Sequence, residues 1–150
     1  MKKISLYTFL FLLIDQISKI LVRMYLNLYN DIILIPNFLS LIHVKNDGAA
    51  FSILEGKNIF FIIITIIVLI GIIYYIKNKN FKKIDYIIYG MLIGGIIGNL
   101  IDRIIYGNVT DFISFTIFNK PMPIFNLADT FICIGCILMI WREEICKKSK

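Results

Sequence analysis

The feature that most constrains the fold is the stretch IFFIIITIIVLIGIIYYI, residues 59–76, which contains no charged side chain. Such a run is long enough to cross the hydrocarbon core of a bilayer as a helix. The rest of the chain agrees, because 59% of its 150 residues are hydrophobic and only 17% are charged, which is too apolar for a typical soluble domain. The sequence therefore predicts an integral membrane protein.

Three further segments are long and mostly apolar: residues 4–26, 84–105 and 123–141. Each carries polar side chains, which indicates burial among helices rather than full contact with lipid. The first segment follows Met-Lys-Lys like a secretory signal, but it lacks a small-x-small cleavage site and is expected to be retained. The prediction is a single domain over residues 1–150, an all-α membrane bundle of four transmembrane helices.

The positions of lysine and arginine predict the orientation of these spans. Ten of them lie before span one, between spans two and three, or after span four, whereas the other two connections hold only Lys45, Lys57 and Lys120. We therefore expect both termini and loop 77–83 in the cytoplasm, with loops 27–58 and 106–122 outside. The net charge of +6 then reflects topology, and no basic stripe with exposed aromatics indicates a nucleic-acid partner.

Polar residues recur every fourth position on two of the spans. Asp15, Lys19 and Arg23 form one face of span one, either as an ion pair that only orients the helix or as part of a site. On span three, two neighbouring rows change from small to polar toward the outer end; they are Gly90, Gly94, Gly98 and Asp102, and Gly95, Asn99 and Arg103. The glycines predict close helix packing, and the polar ends predict a pocket.

Two acids lie near that pocket. Asp111 follows span three, where it could be an ordinary turn residue, and Asp129 would be the third residue of a helix capped by Asn126. Two carboxylates in a site of low dielectric share a proton, so that one acts as a base and the other as an acid. That pair predicts aspartic peptide hydrolysis. The single histidine, His43, lies in a strand-like stretch, and no ligand cluster indicates zinc or another cofactor.

Five short motifs appear in order along the chain: DQISK (15–19), NDGAAF (46–51), GGIIGNLIDR (94–103), VTDF (109–112) and FNLADT (125–130). This set resembles the lipoprotein signal peptidase family, also called signal peptidase II. The resemblance implies an aspartic endopeptidase of the bacterial plasma membrane that cleaves diacylglyceryl-modified prolipoproteins just before the lipidated cysteine. It places the catalytic pair at Asp111 and Asp129. Supporting or substrate-binding positions would be Asp15, Lys19, Asn46, Gly48, Asn99, Asp102, Arg103 and Asn126.

The resemblance also implies structure outside the bundle. A small extracytoplasmic β-cradle would include strands within residues 31–46, and a short amphipathic helix within 48–56 would cover the site. Its expected partners are prolipoprotein substrates, membrane lipid and globomycin-type inhibitors, with no cofactor or metal and a monomeric state. The acyl chains of the substrate would keep the scissile bond near headgroup depth, where both acids are expected.

Two other functions are compatible with polar residues inside spans. An ion- or proton-coupled transporter would hold similar groups, but usually shows internal repeats and a site near the midplane. A non-enzymatic membrane scaffold would explain the glycine rows and the helix cap at Asn126. It would not require polar motifs from five parts of the chain to meet at one pocket.

Overall fold

A computed structural model describes residues 2–48, 56–77, 79 and 81–148. In these ranges the chain forms four long helices and four strands. The helices are α1 (Lys2–Tyr25), α2 (Asn58–Ile76), α3 (Lys83–Tyr106) and α4 (Leu127–Lys148), and the strands are β1 (Asp31–Ile35), β2 (Leu39–Asn46), β3 (Val109–Ile117) and β4 (Lys120–Pro121). The short helix expected within 48–56, with its covering role, falls on residues 49–55, which lie outside the described residues.

Three of the helices, α1, α2 and α3, are long and apolar enough to cross a membrane within the described ranges. Their bounds lie within two residues of the predicted spans. The fourth predicted span was placed from Pro123, but α4 begins at Leu127. The preceding residues are extended because Phe125 pairs with β3: its N–H donates to the Ile113 carbonyl at 3.1 Å, and its carbonyl accepts from the Ile113 N–H at 2.8 Å.

The α3 helix is the centre of the bundle because both of its glycine rows allow close contact. A Cβ atom at Gly94 would lie 2.8 Å from the backbone oxygen of Thr8 in α1, and one at Gly95 would lie 2.6 Å from the backbone oxygen of Ala128 in α4. One row therefore packs against α1 and the other against α4, as the four-residue spacing predicts. Any side chain at these positions would push the helices apart.

The directions of the helices follow from these contacts. Successive glycines of α3 meet successive turns of α1, so the two helices are parallel, whereas Asp85 near the start of α3 pairs with Arg142 near the end of α4 at 3.0 Å. A buried apolar cluster joins Ile4, Ile76 and Tyr89 at that same end. The helix ends that lead into the strands are at the opposite end of the bundle.

The strands form one antiparallel sheet in the order β1-β2-β3-β4. The strands predicted within 31–46 are present as β1 and β2. Residues 109–117 lie in the predicted connection between spans three and four, where they form strand β3, so the alternative of an ordinary turn residue at Asp111 does not hold. Asp111 lies on β3 opposite Val44 of β2 and is only 2% exposed. Sheet pairing thus carries this acid into the interior between the sheet and the helices.

Candidate active site

Asp129 lies in the first turn of α4, held by a reciprocal cap. The Asn126 side-chain oxygen accepts from the Asp129 N–H at 2.9 Å, and the Asp129 carboxylate accepts from the Asn126 N–H at 3.2 Å. This capping box stabilises the start of the helix. It also fixes the direction of the Asp129 side chain. Asn126 can therefore cap the helix and orient Asp129 at the same time.

Asp111 accepts two amide hydrogen bonds. Asn46 of β2 donates to one carboxylate oxygen at 2.7 Å, and Asn126 donates to the other at 2.6 Å. Burial, together with the negative charge of Asp129, raises the pKa of Asp111 to about 7, while the amide donors act in the opposite direction. Asp111 can therefore hold a proton near neutral pH.

Two asparagines connect the acids into one network. Asn99 of α3 donates to the Asp129 carboxylate at 2.7 Å, and its own oxygen accepts from Asn126 at 3.2 Å. Asn126 thus donates to both Asp111 and Asn99 while its oxygen accepts from the Asp129 backbone. Each hydrogen-bonding group of this amide has a partner, which leaves it one orientation.

Behind the asparagines lies a buried cation. The Lys19 side chain is 0% exposed, and its Nζ lies 2.9 Å from an Asp15 oxygen and 3.3 Å from an Asp102 oxygen, with both acids also 0% exposed. It also donates to the Asn99 oxygen at 2.9 Å. A lysine so far from water is stable only when paired and hydrogen-bonded. Lys19 of the polar row on span one is therefore connected, through Asn99, to the network that holds Asp129.

The two buried acids beside Lys19 each hold a backbone group next to the candidate pair. Asp15 accepts from the N–H of Ala128 at 3.0 Å, and Asp102 accepts from the N–H of Thr110 at 3.0 Å. Ala128 directly precedes Asp129, and Thr110 directly precedes Asp111. The charged cluster therefore links α1 and α3 to the backbone on which each acid stands.

A cavity of about 650 Å³ opens onto the network. One end is polar, with both acids, Asn46, Asn99 and Arg103 in its wall. Arg103 lies with its guanidinium 5.1 Å from the centre of the Phe61 ring and donates to the Gly48 carbonyl at 3.2 Å. The remaining wall is apolar; it includes Phe115, Ile117, Met122, Pro123, Ile124, Phe125, Ile132 and Cys133.

The predicted site residues divide into two groups. Those that line the cavity are Asn46, Gly48, Asn99, Arg103, Asp111 and Asp129. Those buried behind it are Asp15, Lys19, Asp102 and Asn126, each 0% exposed. The expectation that the polar end of span three would form a pocket holds for Asn99 and Arg103, whereas Asp102 points to Lys19 and the Thr110 backbone.

Sequence reasoning missed the apolar wall of the cavity. Phe115 of β3 and Phe125 stack with ring centres 5.9 Å apart, in a part of the chain that had been assigned to a loop and the start of span four. The alternation of Phe115 and Ile117 in FISFTIF is a strand signal that could have indicated one apolar face.

No group of three or more His, Cys, Asp or Glu side chains within the described ranges is placed to hold a metal ion. His43 has another role: its Nδ1 lies 2.9 Å from the Leu26 carbonyl, at the join between α1 and the sheet. Within the described wall of the cavity, the carboxylates are those of Asp111 and Asp129.

The chain is similar to known proteins in sequence and in fold. Residues 7–144 match the family described as Signal peptidase (SPase) II. The lipoprotein signal peptidase of Staphylococcus aureus (strain JH9) is 42% identical over 127 residues, which cover 84% of this chain and 78% of that protein. Two bacterial membrane enzymes, solved by the in meso method at 2.3 and 1.9 Å resolution, match with TM-scores of 0.89 and 0.83 and identities of 36% and 37%. They cover 100% and 95% of this chain, which covers 92% of each.

Proposed function

The chain belongs to the signal peptidase II family, a family of aspartic peptidases that act on lipoproteins at the membrane, and from this premise we propose that Asp111 and Asp129 are its catalytic dyad. The observation that carries the proposal is Asn126. Its amide is hydrogen-bonded both to the Asp111 carboxylate and to the backbone of Asp129, at the polar end of a cavity large enough for a peptide segment.

The two acids differ in the form that their surroundings favour. Asp129 lies at the N-terminal end of α4, where the helix dipole stabilises negative charge, and it accepts hydrogen bonds from Asn99 and from the Asn126 N–H. Asp111 is on a strand, is 2% exposed and has a pKa raised to about 7 by burial and by Asp129. We therefore assign the shared proton of the resting dyad to Asp111.

This assignment gives each acid one role in hydrolysis. The Asp129 carboxylate takes a proton from a water molecule while the water oxygen attacks the scissile carbonyl carbon. Protonated Asp111 donates its proton to the carbonyl oxygen, which forms a neutral gem-diol. When the C–N bond breaks, protonated Asp129 gives its proton to the leaving nitrogen while the Asp111 carboxylate takes a proton from one gem-diol hydroxyl, so that the carboxylic acid and amine products form. Both acids then regain their starting states.

Lys19 acts as a positioning residue in this scheme. It fixes the Asn99 amide through that group's oxygen, so that the Asn99 nitrogen is directed at Asp129. Through Asp15 and Asp102 it also supports the backbone on which each dyad member stands. This support matters for rate, because a misplacement of about 1 Å at a catalytic group can cost about a hundredfold.

The apolar part of the cavity supports a finer proposal about substrate. Its phenylalanine, isoleucine and methionine side chains line the same cavity as the dyad and suit the apolar group of a diacylglyceryl-modified cysteine. A substrate bound in this way would present the peptide bond just before that cysteine to the dyad. Globomycin-type inhibitors would occupy the same cavity. The site would then face outward from the bacterial plasma membrane, with both termini cytoplasmic and α4 as a fourth span. We also propose that the active protein is a monomer.

The family assignment replaces the transporter and scaffold alternatives as the explanation for the buried polar groups.

The dyad is tested by cleavage of a diacylglyceryl prolipoprotein peptide in detergent. We expect Asp111→Asn and Asp129→Asn each to reduce kcat by about a thousandfold or more, with Asp31→Asn on exposed β1 as the matched control. An unlipidated peptide of the same sequence should be cleaved far more slowly. Near wild-type turnover in either dyad variant would refute the dyad, and equal cleavage of both peptides would refute the lipid requirement alone.

A further inference from the structure

A second cavity, of about 500 Å³, lies at the end of the bundle opposite the dyad. It is formed where the first turns of α1 meet the start of α3. The residues that line it are Lys3, Leu6, Tyr7, Phe81, Lys83 and Tyr86. None of the lining residues in the described part of the chain is acidic. The catalytic scheme uses none of these groups, and the hydrogen-bonded network of the dyad does not extend to them.

The rim of this cavity is positively charged. The Lys3 ammonium lies 5.5 Å from the centre of the Tyr86 ring, and no ion pair found in the described ranges includes Lys3 or Lys83. The nearby acid, Asp85, is already engaged by the Arg142 guanidinium at 3.0 Å and by the Lys82 N–H at 2.7 Å. The two lysines are therefore available to neutralise an anion over aromatic walls.

An apolar row leads away from the cavity along α1. It starts at Leu6, which is in the cavity wall, and continues through Leu10, Leu13 and Ile17, all of which are at least 42% exposed. The spacing places them on one helix face. From Leu6 to Ile17 the helix rises roughly 16 Å, which matches one leaflet, or about 15 Å, half of the hydrocarbon core of a bilayer.

The basic cavity suits a phosphate at headgroup depth, and the apolar row that leaves it is as long as one leaflet of hydrocarbon. A phospholipid has both of these parts. We propose that this cavity binds the headgroup of an anionic phospholipid, with Lys3 and Lys83 on its phosphate and its acyl chains along the Leu6–Ile17 row. Basic pockets between transmembrane helices are suited to such headgroups. The site would attach the end of the bundle distant from the dyad to the membrane surface, and its existence does not depend on the catalytic assignment.

The test is native mass spectrometry of purified protein released from micelles that contain equal mole fractions of phosphatidylglycerol and phosphatidylcholine with matched chains. Wild type should retain phosphatidylglycerol preferentially. Lys3→Gln with Lys83→Gln should lower that preference about thirtyfold, and each single variant about fivefold. The matched control is Lys45→Gln with Lys57→Gln, which removes two exposed lysines elsewhere and should retain the wild-type preference.

Each outcome decides the proposal. If the double variant does not fold, as judged by thermal melting, the two single variants provide the comparison. An unchanged preference in the Lys3 and Lys83 variants, or an equal loss in the control, would overturn it. Excess inorganic phosphate should displace little lipid; if it removes phosphatidylglycerol completely, the site recognises phosphate alone and the role of the apolar row is wrong.

Discussion

Replacing Asp111 by asparagine should remove most of the pH dependence of stability near neutrality. The pKa of this acid rises from the ordinary value of 3.8 to about 7 because it is buried and lies near Asp129. The folded protein therefore binds this proton more tightly than the unfolded chain does. Its stabilising contribution is fully present below about pH 4 and is lost as the pH rises through 7. The amide in the Asp111→Asn variant has no such proton to lose.

The size of the effect follows from the width of that window. Each pH unit between the two pKa values changes the free energy of unfolding by about 1.4 kcal/mol. Between pH 5 and the Asp111 pKa of about 7 there are about two such units. Raising the pH from 5 to 8 should therefore lower the free energy of unfolding by about 2–3 kcal/mol, since Asp111 is only 2% exposed. For a chain of this length that corresponds to a fall of about 5–10 °C in melting temperature.

Thermal melting in detergent at pH 5 and pH 8 measures this loss. The wild type and Asp31→Asn, which removes an exposed acid, should lose the full amount, while Asp111→Asn should lose about 2–3 kcal/mol less. A constant cost of the substitution, such as two amide donors left facing one amide, cancels in the comparison between the two pH values. Equal pH dependence in wild type and Asp111→Asn would refute the assignment of the proton to Asp111.

Three further predictions concern groups around the dyad. Lys19→Met leaves buried carboxylates unpaired, so the free energy of unfolding should fall by about 3–5 kcal/mol; an unchanged melting curve would contradict the ion cluster. Gly98→Ala places a methyl group against the Asp15 carboxylate and should lower the melting temperature, whereas Gly71→Ala, with nothing within 4 Å, should be neutral or stabilising by up to about 1 kcal/mol. Asn126→Ser retains a capping oxygen but loses the amide donor to two buried acceptors, so the free energy of unfolding should fall by about 1–3 kcal/mol and kcat about ten- to hundredfold; a loss of stability with unchanged kcat would indicate only a cap.

The fold was predictable where local pattern determines it. The charge-free run of α2 and the length of the other apolar segments placed three helices within two residues of their bounds. The start of α4 was not predictable, because the residues before Leu127 are held extended by Ile113 of β3, a pairing between distant parts of the chain. For the same reason β3 was not predicted as a strand: its partner β2 precedes it by two helices.

The site was predictable in membership and less so in arrangement. Four-residue spacing placed Asp15 with Lys19, and the capping pattern placed Asp129 in the first turn of α4. The sequence did not show that Asp15 and Asp102 would hold the backbone before each dyad acid, at Ala128 and Thr110. Such bonds depend on how far α1, α3, α4 and β3 are shifted along their axes relative to one another. Close packing along the glycine rows determines that shift.

The most direct test of the central claim is a cycle of cleavage rates for wild type, Asp111→Asn, Asp129→Asn and the double variant on one diacylglyceryl prolipoprotein peptide. If the two acids act as a unit, each single variant loses nearly all of the rate and the double variant is no slower than either. If instead the two losses multiply in the double variant, or either single variant retains substantial cleavage, Asp111 and Asp129 are not a catalytic dyad.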